Sequence, residues 1–425
     1  MYDVFSIPDF QFPEGFLWGV AAAGHQIEGN NINSNHYQQE MEWPVDPKGI
    51  KVPSGMACNH YNMVDEDTAL IKKLGYPSYR MSVEWSRIEP EEGRFCEEAI
   101  QHYLREIAGL KENGIQIMMT MHHFTHPTWF DREGGFQNLD NRRYFERYLE
   151  KVVPLFATYV DSWNVFNEFN MGESEQELKE KAAVFKYHAL GYHIIKKYSK
   201  APVSSAHALI MYDAKRRFDL FDTAMQQYDD MVVNEFFLHG IRTGEVVLPP
   251  IEGYYDPDIK GSCDFWSVNI YTRTLVDARA ENCCSERYAH KHLRLIDMPF
   301  YLDELHPEVV IHQLNRLKDK PVIITENGLA CKDDDWRIVF ITLYLSALHE
   351  AMRMGVDLQG YLYWSLLDNY EWWTFRPRFG LVDVDFETFQ RTPKPSAYFY
   401  RDIIRNNGFS QEILRKYLHQ LPTIS

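Results

Sequence analysis

Two glutamates, Glu168 and Glu326, each stand at the end of a short run of apolar and β-branched residues. The first run ends in the letters NVFNE and the second in IITEN. Two carboxyl groups that face each other can cleave a glycosidic bond, since one protonates the leaving oxygen and the other acts on the opposite face of the sugar ring. Either glutamate alone is weak evidence, because strand-end glutamates are more often solvated or structural. The elements that hold them therefore decide whether they can form a pair.

Short apolar runs alternate along the chain with longer stretches of helical apolar spacing. The runs predict eight β-strands, at residues 16–22, 78–83, 116–121, 159–166, 203–208, 265–270, 322–325 and 361–365. The longer stretches predict helices at residues 63–74, 97–113, 142–156, 178–198, 218–239 and 334–354. This alternation is typical of βα units, and eight parallel strands are the number that closes a barrel.

The predicted fold class is therefore α/β, a (β/α)8 TIM barrel with elaborated βα loops. No linker-like tract, short repeat or low-complexity run divides the chain, so we expect one domain over residues 1–425. Barrel enzymes carry their chemistry at the C-terminal ends of the strands, where Glu168 and Glu326 stand. The segment 277–299 is rich in charge, histidine and cysteine and is expected to be a surface loop over the barrel mouth.

The formal net charge of −17 argues against nucleic acid and anionic membranes as partners, because both need clustered Lys and Arg. No run approaches the length of a membrane span, and the first residues lack the pattern of a secretory signal. We therefore expect a cytoplasmic protein. The 6 cysteines show no metal-ligand spacing and are expected to be free thiols. Association into a homo-oligomer stays open.

Further motifs lie at the predicted strand ends and identify a resemblance. From FPEGFLWG near its start to RTPK near its end, the chain resembles glycoside hydrolase family 1, of the β-glucosidase type. The resemblance covers almost the whole chain. The motifs between these two follow in the family's order, namely QIEG, YRMS with WSRI, NE at 167–168, NIY, ITENG, and YWSLLDNYEW followed by RFGL.

The resemblance implies a retaining mechanism in which Glu168 is the acid/base and Glu326 is the nucleophile. It places Arg80 beside Glu326, where the cation would keep the carboxylate ionised, and it places Tyr271 where its hydroxyl would bond the same group. The charge on Glu326 would keep Glu168 protonated until the covalent intermediate forms. The implied substrate is a small-molecule β-glycoside or oligosaccharide, cleaved at its terminal non-reducing unit, with no cofactor and no metal.

The resemblance also implies sugar-binding side chains, which exchange hydrogen bonds with hydroxyls or cover the apolar face of the ring. They are Gln26, His123, Asn167, Asn269, Trp364, Glu371, Trp372 and Phe379, with Trp364 as the platform under the ring. His122, His123 and His126 could instead form a metal site, but no ligand spacing elsewhere supports one. Trp373 is interpreted as a core or rim residue. Trp129 either lines the entrance or packs in the core.

Three stretches depart from the family's pattern. Phe169 and Asn170 follow Glu168 where proline is common, and HFTHP stands at 123–127 where Trp-Asp-Leu-Pro is common after the histidine. The letters FRP at 375–377 are unusual beside the sugar 6-position. We expect these departures to alter the binding of the aglycone and of the 6-hydroxyl rather than the chemistry.

Three alternative functions belong to the same fold. In 6-phospho-β-glycosidases a phosphate loop with Ser and Lys replaces the dipeptide EW. The dipeptide EW at 371–372 therefore favours an unphosphorylated sugar here. Arg376 and Arg378 are the remaining argument for a phosphorylated one. A transglycosylase uses the same intermediate and differs in whether water or a sugar hydroxyl takes the glycosyl group. A binding protein that has lost catalysis is disfavoured, because both glutamates are present.

Overall fold

All eight predicted strands are present in the computed structural model, which describes residues 3–47, 49, 51–279 and 304–423. Numbered β1 to β8 in chain order, they are Leu17–Ala21, Ser78–Ser82, Gln116–His122, Ser162–Asn167, Val203–Ala208, Trp266–Asn269, Val322–Asn327 and Leu358–Trp364. Each strand pairs in parallel with the next one along the chain, and β8 pairs with β1, which closes the barrel. The predicted TIM barrel is thus confirmed.

Helices connect the strands. The longer ones are Val64–Leu74, Glu97–Glu112, Arg142–Phe156, Glu175–Tyr198, Leu220–Asp230, Phe236–Thr243, Glu308–Leu314, Asp334–Arg353, Pro395–Asn406 and Gln411–Tyr417. Short helices lie at Gly24–Ile27, Asn35–Met41, Trp85–Ile88 and Thr128–Arg132, with 3-10 turns at Val4–Ser6, His60–Asn62, Gly135–Gln137 and Leu139–Asn141. None of the helices in the described part of the chain has the length and apolar character that a membrane crossing needs.

The predicted helix at 218–239 corresponds to two helices, Leu220–Asp230 and Phe236–Thr243, joined without a gap by a π-helical turn at Met231–Glu235. The π-helical turn was not predicted. The carbonyl of Val232 accepts a hydrogen bond from Lys181, and that of Val233 accepts one from Asn170 at 3.0 Å. Side chains from outside the helix thus bond carbonyls within the turn. Wide turns of this kind often occur near functional sites.

Four pairs of short strands lie outside the barrel. They are Phe10–Gln11 with Gly408–Phe409, Met211–Ala214 with Arg273–Val276, Glu245–Val246 with Tyr254–Tyr255, and Val382–Val384 with Arg391–Pro393. The pair formed by Met211–Ala214 and Arg273–Val276 follows β5 and β6, so these two strands are extended beyond the barrel wall. The predicted loop at 277–299 lies outside the described residues, apart from its first three positions.

The core has two parts. The larger part packs the helices on the strands, as the helix Glu97–Glu112 does with Ile100, Tyr103, Ile107 and Leu110, which recur at helical spacing and are buried. The smaller part fills the inside of the barrel near its base and consists of Leu17, Met118, Phe265, Ile323 and Leu362. The barrel is therefore a packed scaffold whose free end is available for chemistry.

A buried histidine links distant parts of the chain beneath the barrel mouth. His60 lies between two carboxylates, with Nδ1 2.8 Å from Asp67 and Nε2 3.0 Å from Glu106. Asp67 also accepts two hydrogen bonds of 2.9 Å from Arg391. Burial by itself lowers the pKa of His60, but Glu106 and Asp67 outweigh it and raise the pKa to about 10. The cluster thus holds a buried cation at neutral pH.

This cluster predicts a pH dependence of stability for the variant His60→Gln. Between the ordinary pKa of 6.5 and about 10, the folded chain holds more protons at His60 than the unfolded chain, so the stabilisation is complete below pH 6.5 and declines as pH rises to about 10. In urea titrations, the difference in free energy of unfolding between the wild type and His60→Gln should therefore decrease as pH rises from 6.5 to about 10. His102→Gln is the control. Because burial lowers the pKa of His102, any pH-dependent change in the free energy of unfolding of this variant should be confined to pH values below 6.5. A loss independent of pH would contradict the buried imidazolium.

Candidate active site

The C-terminal ends of the strands surround a cavity of about 430 Å³. Its walls include Gln26, His123, Asn167, Glu168, Asn269, Tyr271, Glu326, Trp364, Glu371, Trp372 and Phe379, that is, every residue in the predicted site except Arg80. The guanidinium of Arg80 lies directly below the cavity, and this residue is fully buried on β2. The structure therefore brings all twelve predicted residues into one place.

Glu326 stands near the end of β7 and has two donors. Arg80 donates to one carboxylate oxygen through Nη1, and the hydroxyl of Tyr271 donates to the other at 2.7 Å. Burial raises the pKa of Tyr271 well above its ordinary value of 10, and Glu326 adds to the effect, so the hydroxyl keeps its proton. The carboxylate is thus held by a cation on one side and by a neutral donor on the other.

Glu168 follows β4 directly and has a different environment. The amide nitrogen of Asn269 donates to its carboxyl group at 2.8 Å, and its own backbone N–H donates to Ala206 at 2.7 Å. Its φ of +50° lies in the left-handed region, as do the φ of Phe124 at 65° and that of Trp372 at 63°. Such angles cost roughly 1–3 kcal/mol in non-glycine residues and persist where the surroundings impose them. Three such residues around a single cavity mark it as a functional site.

Asn167 connects the two carboxyl groups. Its Oδ1 accepts from Arg80 at 2.6 Å and from Asn269 at 3.0 Å, which fixes the orientation of the amide. The amide nitrogen therefore faces His123 and donates to Nε2 at 3.3 Å, so the imidazole proton lies on Nδ1. Burial lowers the pKa of His123 well below 6.5, and the ring is neutral.

The opposite wall carries a carboxyl group and aromatic rings. Trp364 Nε1 donates to Glu371 at 3.3 Å, and burial raises the pKa of Glu371 well above 4.5. The ring of Trp372 is nearly parallel to that of His123, with centroids 6.0 Å apart. A Cβ atom on Gly328 would lie 1.7 Å from the carbonyl oxygen of Trp364, so glycine is what allows β7 and β8 to approach this closely.

The alternative interpretations of single residues are also decided by the geometry. His122 lies beside His126 at 3.3 Å and away from the cavity that His123 lines. Within the described residues, no group of three His, Cys, Asp or Glu could hold a metal ion. Trp373 lies on the cavity wall, as a rim residue. Trp129 donates to the carbonyl of Glu89 at 2.8 Å and packs among aromatic rings, so it belongs to the core.

Two residues that support the loop after Glu168 were missed in the sequence. Asn170 exchanges hydrogen bonds with the backbone of Ala208, at 2.9 and 3.0 Å. Lys181 is buried, and its ammonium group donates to the carbonyls of Asn170, Gly172 and Val232, which fix the loop against the π-helical turn. No sequence pattern distinguishes this lysine from its exposed neighbours on the same helix.

Comparisons with known proteins agree on one family. The model of glycosyl hydrolase family 1 matches residues 9–237 and 242–409. The chain is 30% identical to the 1,4-β-D-glucan glucohydrolase of Thermotoga neapolitana over 94% of this chain and 99% of the relative. Among solved structures, the β-glycosidase from Pyrococcus horikoshii is 33% identical with a TM-score of 0.84, covering 96% and 98% of the two chains. A family 1 β-glucosidase from Thermotoga maritima in complex with isofagomine lactam is 27% identical with a TM-score of 0.85, covering 94% and 100%.

Replacing Lys181 by methionine is expected to destabilise the fold by roughly 2–4 kcal/mol at pH 7, because three carbonyls lose their donor. Burial lowers the pKa of Lys181 to about 7 from 10.5. Between these values the unfolded chain holds more protons, so wild-type stability rises with pH relative to Lys181→Met. Urea unfolding at pH 7 and pH 9.5 measures both effects. The control is Lys179→Met, which removes an exposed ion pair with Glu175 and should cost less than about 1 kcal/mol. Equal losses in the two variants would contradict the role of Lys181.

Proposed function

The chain belongs to glycosyl hydrolase family 1, and from this premise we propose that it is a retaining β-glucosidase that uses Glu326 as nucleophile and Glu168 as acid/base. Family membership makes it a glycosidase acting on O-glycosyl bonds. The retaining chemistry and the residues that perform it are the proposal. The observation that carries it is the contrast between the two carboxyl groups of one cavity, since a guanidinium bonds Glu326 and an amide bonds Glu168.

The first half-reaction needs an ionised nucleophile and a proton donor. Arg80 and Tyr271 hold the carboxylate of Glu326 in place, and it attacks the anomeric carbon to form a glycosyl ester. Glu168 gives its proton to the glycosidic oxygen, so that the aglycone leaves as a neutral alcohol. Asn269 holds the carboxyl group of Glu168 in place for this transfer.

The second half-reaction reverses the roles. Once Glu326 is bonded to the sugar it carries no charge, and Glu168, now ionised, takes a proton from a water molecule that attacks the anomeric carbon. The bond to Glu326 breaks, its carboxylate returns to Arg80, and the sugar is released with its original anomeric configuration. Two inversions thus give net retention.

The sugar-binding wall supports an unphosphorylated terminal glucoside as substrate. Gln26 and Glu371 can bond vicinal hydroxyls. The Nδ1 proton of His123 has no acceptor among the residues that the structure describes, and a sugar hydroxyl would supply one. Trp364 offers an indole face for the ring. A Thermotoga maritima relative, 29% identical over 94% of this chain, is β-glucosidase A, and the same substrate is proposed here.

Phosphate at the sugar 6-position is disfavoured. Arg376 and Arg378 do not line the cavity, and Arg378 lies 3.5 Å from the buried carboxylate of Asp368. Glu371 does line it. A phosphate dianion would therefore meet a carboxyl group in place of a cation. A transglycosylase would use the same intermediate and would differ in whether water or a sugar hydroxyl takes the glycosyl group.

Removal of each carboxyl group should give azide products of opposite configuration. In Glu326→Gly the space left below the ring admits azide, whose single displacement on an activated aryl β-glucoside gives the α-glycosyl azide. In Glu168→Ala the glycosyl ester still forms from such a substrate, and azide intercepts it from the other face to give the β-azide. Product configuration by NMR is the measurement. Glu175→Ala, on an exposed carboxylate, is the control and should give no azide adduct. An α product from Glu168→Ala would overturn the assignment.

The preference for an unphosphorylated sugar is tested with 4-nitrophenyl β-glucoside and its 6-phosphate. The kcat/KM should be at least about a hundredfold higher for the unphosphorylated substrate, because a phosphate dianion would lose its hydration beside a buried carboxyl group in place of a cation. Measuring both substrates at the same pH and ionic strength removes differences in screening. Equal values, or a preference for the phosphate, would show that a cation outside the described site reaches the 6-position.

A further inference from the structure

A second cavity of about 210 Å³ opens on the other side of Glu168, and we call it the side chamber. It shares four wall residues with the first cavity, namely Phe124, Asn167, Glu168 and Met171. Its remaining walls are His122, His126, Phe136, Phe166, Phe169, Glu177, Glu180, Lys181 and Val184. Glu168 thus stands between two spaces. The first is lined by all the residues proposed to bind the sugar, and the second shares only Asn167 among them.

The wall of the side chamber is mainly aromatic and apolar. Phe136 and Phe166 are buried and pack edge to face, with centroids 5.3 Å apart. Burial lowers the pKa of His122 well below 6.5, so this ring is neutral. The donors of Lys181 are bonded to backbone carbonyls, and the charged groups nearest the exterior are the carboxylates of Glu177 and Glu180. The chamber is suited to an uncharged aromatic group and is unfavourable for an anion.

The chemistry proposed above decides where the aglycone begins. The leaving oxygen must lie within hydrogen-bonding reach of Glu168 to receive its proton, so the first aglycone atoms lie at the wall that both cavities share. From there the aglycone can run outward past Ile210 and Thr274, which line the first cavity, or turn into the side chamber. The side chamber offers the aglycone a mainly aromatic and apolar wall.

We propose that the side chamber is an aglycone site that accepts the aromatic ring of an uncharged arylalkyl glycoside. The proposal rests on the proposed function and names the class of aglycone that the enzyme prefers. The volume agrees with it, since a cavity of about 150 Å³ with an apolar lining can bind benzene, and 210 Å³ leaves room for a ring and a short linker. Phe124 and Phe169, two residues where this chain departs from the pattern of its family, both line the chamber.

The test compares two substrates with one sugar and leaving alcohols of similar acidity, 2-phenylethyl and ethyl β-glucoside. The ratio of their kcat/KM values reports contact between the protein and the aromatic ring. A substitution that disturbs Glu168 lowers both kcat/KM values alike and leaves the ratio unchanged. In the wild type the ratio should be about tenfold or more in favour of the phenylethyl substrate. Val184→Phe fills the chamber from the helix side and should lower the ratio about tenfold. Val184→Ala enlarges the chamber and should raise the ratio for 2-(2-naphthyl)ethyl over ethyl β-glucoside.

The matched control, Ile210→Phe, places the same side chain on the outward path, and the ratio should not change. If Ile210→Phe lowers the ratio and Val184→Phe does not, the aglycone takes the outward path and the proposal is wrong. A wild-type ratio near one would overturn it equally. Failure of this proposal is distinguishable from failure of the proposed function. If the proposed function were wrong, the wild type would hydrolyse neither glycoside. Should Val184→Phe fail to fold, as far-UV circular dichroism would show, Val184→Leu is the milder variant and should lower the ratio in the same direction.

Discussion

The ion pair between Arg80 and Glu326 is the interaction on which the rest of the site depends. The side chain of Arg80 has no exposed surface and that of Glu326 has 6%. Removing one partner of such a pair costs about 3–5 kcal/mol, because the other charge is left buried and unpaired. Arg80 must therefore find acceptors inside the barrel, and it finds them in Glu326 and Asn167. One guanidinium thus sets the positions of side chains from the strands β4 and β7.

An apolar pair of similar volume could stabilise a barrel as well as this ion pair does, so stability alone does not explain it. The proposed mechanism does. A nucleophile must be ionised inside a cavity that excludes water, and a fixed cation that reorients little provides that condition. Glu168 meets the opposite requirement, since it must hold a proton in one step and release it in the next, and a neutral amide at 2.8 Å permits both states. The loop that follows the left-handed backbone of Glu168 is fixed by Asn170, which bonds the backbone of Ala208, and by Lys181 on the next helix, which bonds the carbonyl of Asn170.

The sequence predicts the barrel well because its strands and helices leave local patterns. The site residues came instead from the resemblance to a family, and the structure brings them to one cavity. β-Branched runs mark the strands, and a polar residue directly after such a run marks its C-terminal end, as at Glu168 and Glu326. The π-helical turn at Met231–Glu235 was not predicted, because the side chains that bond its carbonyls, Asn170 and Lys181, are distant in sequence. The side chamber escaped prediction for a related reason. A cavity is the space that packing leaves between residues from several elements, and no spacing along the chain records it.

The chemistry and the choice of substrate are carried by different parts of the fold. Arg80, Asn167 and Glu326 belong to strands of the barrel, where a shift of register would move the whole hydrogen-bonding network. Phe124, Phe169 and Val184 belong to βα loops and to the helix after Glu168, where a change of side chain alters only a wall. Glu168 lies at the boundary, because its backbone leaves the strand there in a left-handed conformation. A loop anchored by Lys181 can therefore vary in its exposed side chains while the carboxyl group keeps its position. Under the proposed function, this arrangement lets one set of catalytic groups serve different aglycones, since Asn269, which bonds the carboxyl group of Glu168, is not part of the side chamber's wall.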